Sequence, residues 1–89
     1  MFYAYVLQSE ADHKLYTGYS SNLKRRFTEH QSGKVLSTQY RRPLKLIYYE
    51  AYLLENDAKS RELFLKGGSG KKYLKKQLKH YFEIFPWKT

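Results

Sequence analysis

The sequence predicts a small α/β protein of the α+β kind, one domain with element order ββαβαα. Three observations point there. Two short aromatic and β-branched runs flank a polar stretch, a capped segment carries apolar residues at helical spacing, and a nine-residue strand-like run precedes two further helical segments. At 89 residues the chain has room for a single modest core. The domain is expected over residues 1–82, with residues 83–89 as a short C-terminal tail.

Phe2 to Gln8 and Leu15 to Ser20 read as strands, and Ser9-Glu10-Ala11-Asp12-His13-Lys14 as the connection of a hairpin. Alternation puts Tyr3, Tyr5 and Leu7 on one face of the first strand, and Tyr16, Gly18 and Ser20 on one face of the second. For a loop of this length, pairing parity sets Tyr5 on the same face as Tyr16, directly opposite it or one diagonal step away. Gly18 has no side chain, so it is expected to open space beside Tyr5 where a substrate backbone approaches.

Ser20-Ser21-Asn22 supplies helix-start chemistry and Gly33 after Ser32 a stop, which predicts a helix over Leu23 to Gln31. Leu23 and Phe27 mark its buried stripe. Arg26 and His30, each three residues beyond one of these, lie along the stripe, whereas Arg25 points away. An arginine aimed at the sheet requires an anion. A salt bridge to Glu50 or Glu62 and a substrate phosphate satisfy that requirement equally.

Lys34 to Pro43 reads as an exposed loop carrying Arg41 and Arg42. The run LKLIYYEAY, Leu44 to Tyr52, is apolar on both faces for most of its length and predicts a central strand. Glu55-Asn56-Asp57 opens a second helix in which Ala58, Arg61, Glu62, Leu65 and Lys66 share a flank, with Glu62 the only carboxylate in its middle. Gly67-Gly68-Ser69-Gly70 breaks the chain before a third helix. There Leu74, Leu78 and Tyr81 form the buried side and Lys71, Lys72, Lys75, Lys76 and Lys79 the other. The glycine run is not a phosphate-binding loop: in GxxxxGK[ST] the first glycine falls on Leu65 and the Ser/Thr on Lys72, and no strand precedes it.

Charge narrows the partners. Lys and Arg number 17 against 8 Asp and Glu, a formal +9 with pI near 9.8, and such a field attracts polyanions. Nucleic acid, an anionic membrane surface and simple solubility all fit that number. The absence of cysteine excludes a disulfide framework and a thiolate zinc site. No leader pattern or 18-residue apolar run is present, so a soluble, cytoplasmic protein without membrane partners is expected.

The order of Tyr3-Ala4-Tyr5, Tyr16-Thr17-Gly18, the helix NLKRRFTEH with Arg26 and His30, the strand PLKLIYYE and then Arg61-Glu62 resembles the GIY-YIG endonuclease superfamily. Within it the chain is most similar to the small stand-alone bacterial members of the UPF0213 type, over roughly residues 2 to 80. The resemblance implies a small three-stranded antiparallel sheet flanked by helices, and a divalent-metal-dependent endonuclease hydrolysing DNA phosphodiesters. It further implies selectivity for branched, nicked or distorted structures, in repair or processing, with RNA not excluded as a substrate. Tyr5 matches the tyrosine of the first motif, the candidate base, and Tyr16 that of the second, which assists it or positions the water. Arg26 matches the arginine that holds phosphoryl oxygens. His30 matches a supporting position one turn later, and Glu62 the ligand of one Mg²⁺ or Mn²⁺ ion. Tyr3, Gly18, Arg25, Arg41, Arg42, Lys66, Lys71, Lys72 and Lys75 are the expected nucleic-acid contacts. The chain departs from the pattern in having Ala4 and Thr17 within the two motifs and no asparagine beyond Asn56. The alternative implied by the same residues is a nucleic-acid-binding domain that cuts little or not at all.

Overall fold

The computed structural model describes residues 1–88 of the chain. It folds as β1 (Phe2–Ser9), β2 (Leu15–Ser20), α1 (Leu23–Gln31), β3 (Leu44–Tyr52), α2 (Glu55–Lys66), α3 (Gly68–Gln77) and α4 (Lys79–Ile84). The three strands form one antiparallel sheet in the order β2-β1-β3. Among the described residues, no helix is long and apolar enough to cross a membrane.

The central strand is therefore β1, not the Leu44–Tyr52 run. β1 is flanked by both neighbours, and Ala4 to Ser9 are all buried. β3 lies at an edge, and part of its apolar character comes from tyrosines, of which Tyr49 is more than half exposed. A register shift between Val6 and Leu7 pairs Val6 with Tyr48 and Leu7 with Leu46, leaving Ile47 as the extra residue of a bulge.

Strand alternation divides the core between two faces. On one, Tyr5, Leu7 and Leu44 pack with Tyr16, Leu46 and the α1 residues Leu23 and Phe27. On the other, Ala4 and Val6 pack against Leu65 of α2 and Leu74 of α3, joined by Leu15, Tyr73, Phe82 and Trp87. α1 keeps its predicted limits because both signals are used. The Asn22 side chain accepts the Arg25 N–H, and Gly33, at φ 79°, takes the left-handed conformation that ends the helix.

The glycine run behaves differently from its predicted role as a break. Only Gly67 is extended, while Gly68-Ser69-Gly70 is already the first turn of α3, and the helix expected to reach Tyr81 divides at Leu78 into α3 and α4. A β-carbon on Gly70 would lie 2.0 Å from the Phe64 carbonyl oxygen and 2.5 Å from Leu65 Cα. The start of α3 thus sits directly on the end of α2, and neither obstacle is a side chain that can swing aside. Gly70→Ala is expected to cost about 2–3 kcal/mol and to lower the thermal midpoint by roughly 10 °C or more. A denaturation scan that matches the wild-type chain would contradict this packing.

Residues 85–88 return to the hairpin. The buried Gln8 amide donates to the carbonyls of Phe85 at 3.2 Å, Pro86 at 3.4 Å and His13 at 3.3 Å, and accepts the Tyr81 hydroxyl. The Lys88 N–H donates to the His13 carbonyl at 3.0 Å, and the Trp87 ring meets Phe82 edge-on at 4.6 Å.

Candidate functional site

Tyr5 and Tyr16 share a face, as strand parity requires, and the diagonal alternative is the one adopted. Tyr5 stands opposite Gly18 and Tyr16 opposite Leu7, with the phenol rings 6.4 Å apart. The space at Gly18 is not an opening for substrate. A β-carbon there would meet Tyr5 Cζ and the hydroxyl oxygen at 2.4 Å, so the glycine exists to let the Tyr5 ring lie across β2.

α1 brings His30 against both rings, 5.8 Å from Tyr5 and 5.1 Å from Tyr16. The Tyr5 hydroxyl lies 2.9 Å from His30 Nε2, and His30 Nδ1 lies 2.7 Å from Thr38 Oγ1. Tyr5, His30 and Thr38 are all buried. Burial, reinforced by the positive charge of Arg26, pushes the His30 pKa down to about 4, so the imidazole is neutral near pH 7. Burial pushes Tyr5 up to about 12, with Arg26 opposing the rise and the charges of Tyr16 and Glu62 adding to it. A neutral imidazole suits either state of the phenol. With Tyr5 protonated, its O–H donates to Nε2 and Nδ1–H donates to Thr38. With Tyr5 ionised, the tautomer reverses, Nε2–H donates to the phenolate and the Thr38 hydroxyl donates to Nδ1.

The depressed His30 pKa has a stability consequence of defined sign. Unfolded histidine takes up a proton near pH 6.5, whereas the folded protein resists it to about 4. The stability contributed by neutral His30 is complete above pH 6.5 and is lost as pH falls towards 4, a loss of about 3 kcal/mol. Urea unfolding at pH 7, 5.5 and 4.5 is expected to show this loss in the wild type and a much smaller one in His30→Gln.

Arg26 pairs with neither Glu50 nor Glu62. Its Nη1 donates to Glu29 Oε1 at 3.2 Å, three residues along the same helix, with the two side chains 37% and 34% exposed. Glu50 is taken by Arg61, at 2.9 and 3.1 Å, and by the hydroxyls of Tyr48 and Tyr52. Although burial alone would raise the Glu50 pKa, those donors hold it below the ordinary carboxylate value. A single-point, partly exposed pair leaves most of the Arg26 donors available to another anion.

Glu62 lies on α2, which packs against all three strands. Its side chain is 19% exposed and faces Lys66 at 3.1 Å, and its charge is felt at the Tyr5 phenol. Among the described residues, no group of three or more His, Cys, Asp or Glu side chains is placed to hold a metal ion. A lone carboxylate nonetheless fits Mg²⁺, which keeps several waters and takes its remaining ligands from substrate phosphate.

The remaining residues are dispersed. Tyr3 continues the Tyr5 face and meets Tyr49 edge-on at 6.1 Å, while Arg25 is exposed on the outer side of α1. The loop expected to be exposed is pinned by buried Val35 and Thr38, and its arginines hold it in place. Arg41 bonds Asp12 and the Leu15 carbonyl, both at 3.3 Å, and Arg42 bonds the Gln39 carbonyl at 2.9 Å and packs over Gly33. Lys71, Lys72 and Lys75 belong to α3, on the far face of the sheet from Tyr5. Two residues went unnoticed in the sequence: Glu29, at a readable i,i+3 distance from Arg26, and Thr38, for which no local signal exists.

A family model described as the GIY-YIG catalytic domain matches residues 1–77. A UPF0213 protein from the ldhD 5′ region of Pediococcus acidilactici is 48% identical over 77 residues, covering 83% of this chain and 78% of the relative. A UPF0213 protein of Streptococcus pyogenes (strain Manfredo) is 45% identical over 65 residues, covering 72% and 70% respectively. The solution NMR structure of the UPF0213 protein BH0048 from Bacillus halodurans superposes with a TM-score of 0.51 at 32% identity, covering 83% of this chain and 82% of that one.

Proposed function

We propose, from the premise that this chain belongs to the GIY-YIG catalytic-domain family, that it is a divalent-metal-dependent endonuclease hydrolysing DNA phosphodiesters. The family is one of nucleases, which makes nucleic acid the general substrate. The observation that carries the reading for this chain is the buried Tyr5–His30–Thr38 series, 2.9 and 2.7 Å between successive polar atoms, beside the partly free guanidinium of Arg26.

Hydrolysis needs an activated water, stabilisation of negative charge on the phosphoryl oxygens and a stabilised leaving oxygen. In the free protein Tyr5 is held protonated by burial, so it becomes a base only where positive charge collects beside it. Arg26 contributes part of that charge, and its planar fork is suited to the non-bridging oxygens of the transition state. Ionised Tyr5 takes a proton from the attacking water, His30 holding the phenolate through Nε2–H. Thr38 accommodates that tautomer, its hydroxyl turning to donate to Nδ1. Tyr16, beside both rings, orients the water. Glu62 would hold a divalent cation, which when bound would supply further positive charge to lower the phenol pKa and stabilise the leaving 3′ oxygen. The phenol proton passes to solvent before attack and the leaving 3′ oxygen takes a proton from solvent, so the products are a 5′ phosphate and a 3′ hydroxyl.

The test incubates the protein with linear, nicked, branched and single-stranded DNA and with RNA, in Mg²⁺, in Mn²⁺ and in chelator. Cleavage is expected with either metal and none with chelator, and Glu62→Ala is expected to abolish it at millimolar metal while retaining DNA binding. Tight binding with no cleavage of any substrate would replace this reading with that of a nucleic-acid-binding domain.

A further inference from the structure

We infer that a second phosphate site lies on the opposite face of the sheet from Tyr5, and that it takes the backbone of a single-stranded arm of the substrate that has turned across the edge of β2. This rests on the proposed nuclease reading and names the class of nucleic acid it engages.

A cavity of about 170 Å³ is lined by Lys14, Leu15, Arg41, Lys71, Trp87 and Lys88. Four of these six carry positive charge, and no carboxylate is among them. The nearest counter-charge identified is Asp12, bound to Arg41 at 3.3 Å. The cations come from four separate segments: the β1–β2 turn, the loop before β3, the start of α3 and residues 87–88. Backbone contacts tie two of them, since Lys14 and Lys88 form a bridge and the Lys88 N–H reaches the His13 carbonyl; the Arg41 side chain joins them through Nη2 to the Leu15 carbonyl, and Lys71 Nζ rests on the Lys66 carbonyl at 3.4 Å. Gathering like charges from distant segments is unfavourable unless an anion occupies the space between them. The volume exceeds by several-fold the roughly 30 Å³ of a water, enough for a phosphate group. Trp87, half-buried in the wall, offers an aromatic surface of the kind on which an unpaired base stacks.

The position selects the ligand. Leu15 and Trp87 belong to the far-face cluster, whereas Tyr16, the next residue along β2, belongs to the Tyr5 face. One polynucleotide reaching both must bend across the β2 edge within a molecule whose extents are 33 × 30 × 18 Å. An intact duplex, with a persistence length of about 150 base pairs, is straight on that scale. A single-stranded arm beside a nick or branch turns freely.

Trp87 is the one tryptophan of the chain, so its fluorescence reports the surroundings of this side chain, and the Lys14 and Lys88 variants assign a change to this cavity. In chelator, to prevent cutting, titration with a duplex carrying a single-stranded arm is expected to change Trp87 emission and shield it from iodide. An intact duplex of equal length should shield it at least fivefold less at the same occupancy. Lys14→Glu/Lys88→Glu is expected to abolish the shielding and weaken binding at least tenfold, lowering the slope of log affinity against log salt by about 1.4. If charge reversal unfolds the chain, Lys14→Gln/Lys88→Gln is read in its place for the same loss. Binding detected by anisotropy with Trp87 unaltered would overturn the inference, as would equal shielding by intact duplex or full reproduction of the signal by inorganic phosphate at matched ionic strength. Shielding without any cleavage in metal would leave the site standing and remove the nuclease reading. No binding at low salt would remove both.

Discussion

Replacing Arg26 with alanine is expected to lower single-turnover DNA cleavage about 100- to 1000-fold, the cost typical of removing one preorganised donor to a transition-state oxyanion. The thermal midpoint should stay within a few degrees of wild type. The two effects separate because the Arg26 side chain is 37% exposed and its ion pair is with Glu29, at 3.2 Å on its own helix, a pair worth about 0.2–1 kcal/mol, while its contact with Tyr5 is to a neutral phenol. Arg26→Lys should recover only part of the rate, since the charge returns without the planar fork. A loss of folding in step with activity would show that the guanidinium holds α1 to the sheet instead.

Tyr5→Phe should fail in a different manner, lowering cleavage by about 10²–10⁴-fold and also lowering stability. The ring still fits over Gly18, but the hydroxyl that meets His30 Nε2 at 2.9 Å is gone. A buried nitrogen without its partner costs about 1–3 kcal/mol, which thermal or urea unfolding would reveal. The wild-type pH profile carries the complementary signature. With the phenol of the free protein raised to about 12, the ionised fraction, and with it kcat/KM, rises about tenfold per pH unit from pH 6 upward. Tyr5→Phe should remove that dependence, whereas Arg26→Ala should lower the whole profile. A flat wild-type profile between pH 6 and 8 would assign the base to another group.

Local features of the chain proved readable where the deciding atoms are close in sequence. Asn22 and Gly33 set both ends of α1 because a cap and a left-handed residue act within one turn. The shared face of Tyr5 and Tyr16 followed from alternation along two strands joined by a short connection. What escaped depends on distant partners. A strand apolar on both faces reads as central, yet order in a sheet is decided by which edges are free, and β1 had two neighbours to gain. The Gly67–Gly70 run signals backbone freedom without distinguishing a break from a close helix crossing, and it is the Phe64 carbonyl that makes Gly70 a crossing. For Arg26 the sequence offered Glu50 or Glu62 from other elements beside a substrate phosphate, while Glu29 stood one turn away. Thr38 reaches His30 through a loop whose path has no periodicity to read.

The contacts of Gln8 set a timetable for synthesis. Its buried amide is satisfied by Tyr81, Phe85 and Pro86, and the ribosome, adding about 5–20 residues per second, makes Phe85 about 4–15 s after Gln8. Throughout that interval the His13 carbonyl, within the hairpin itself, is the one of its partners already made. Until the last helix and the two residues beyond it have been made, the Gln8 oxygen and its remaining donor are left to water.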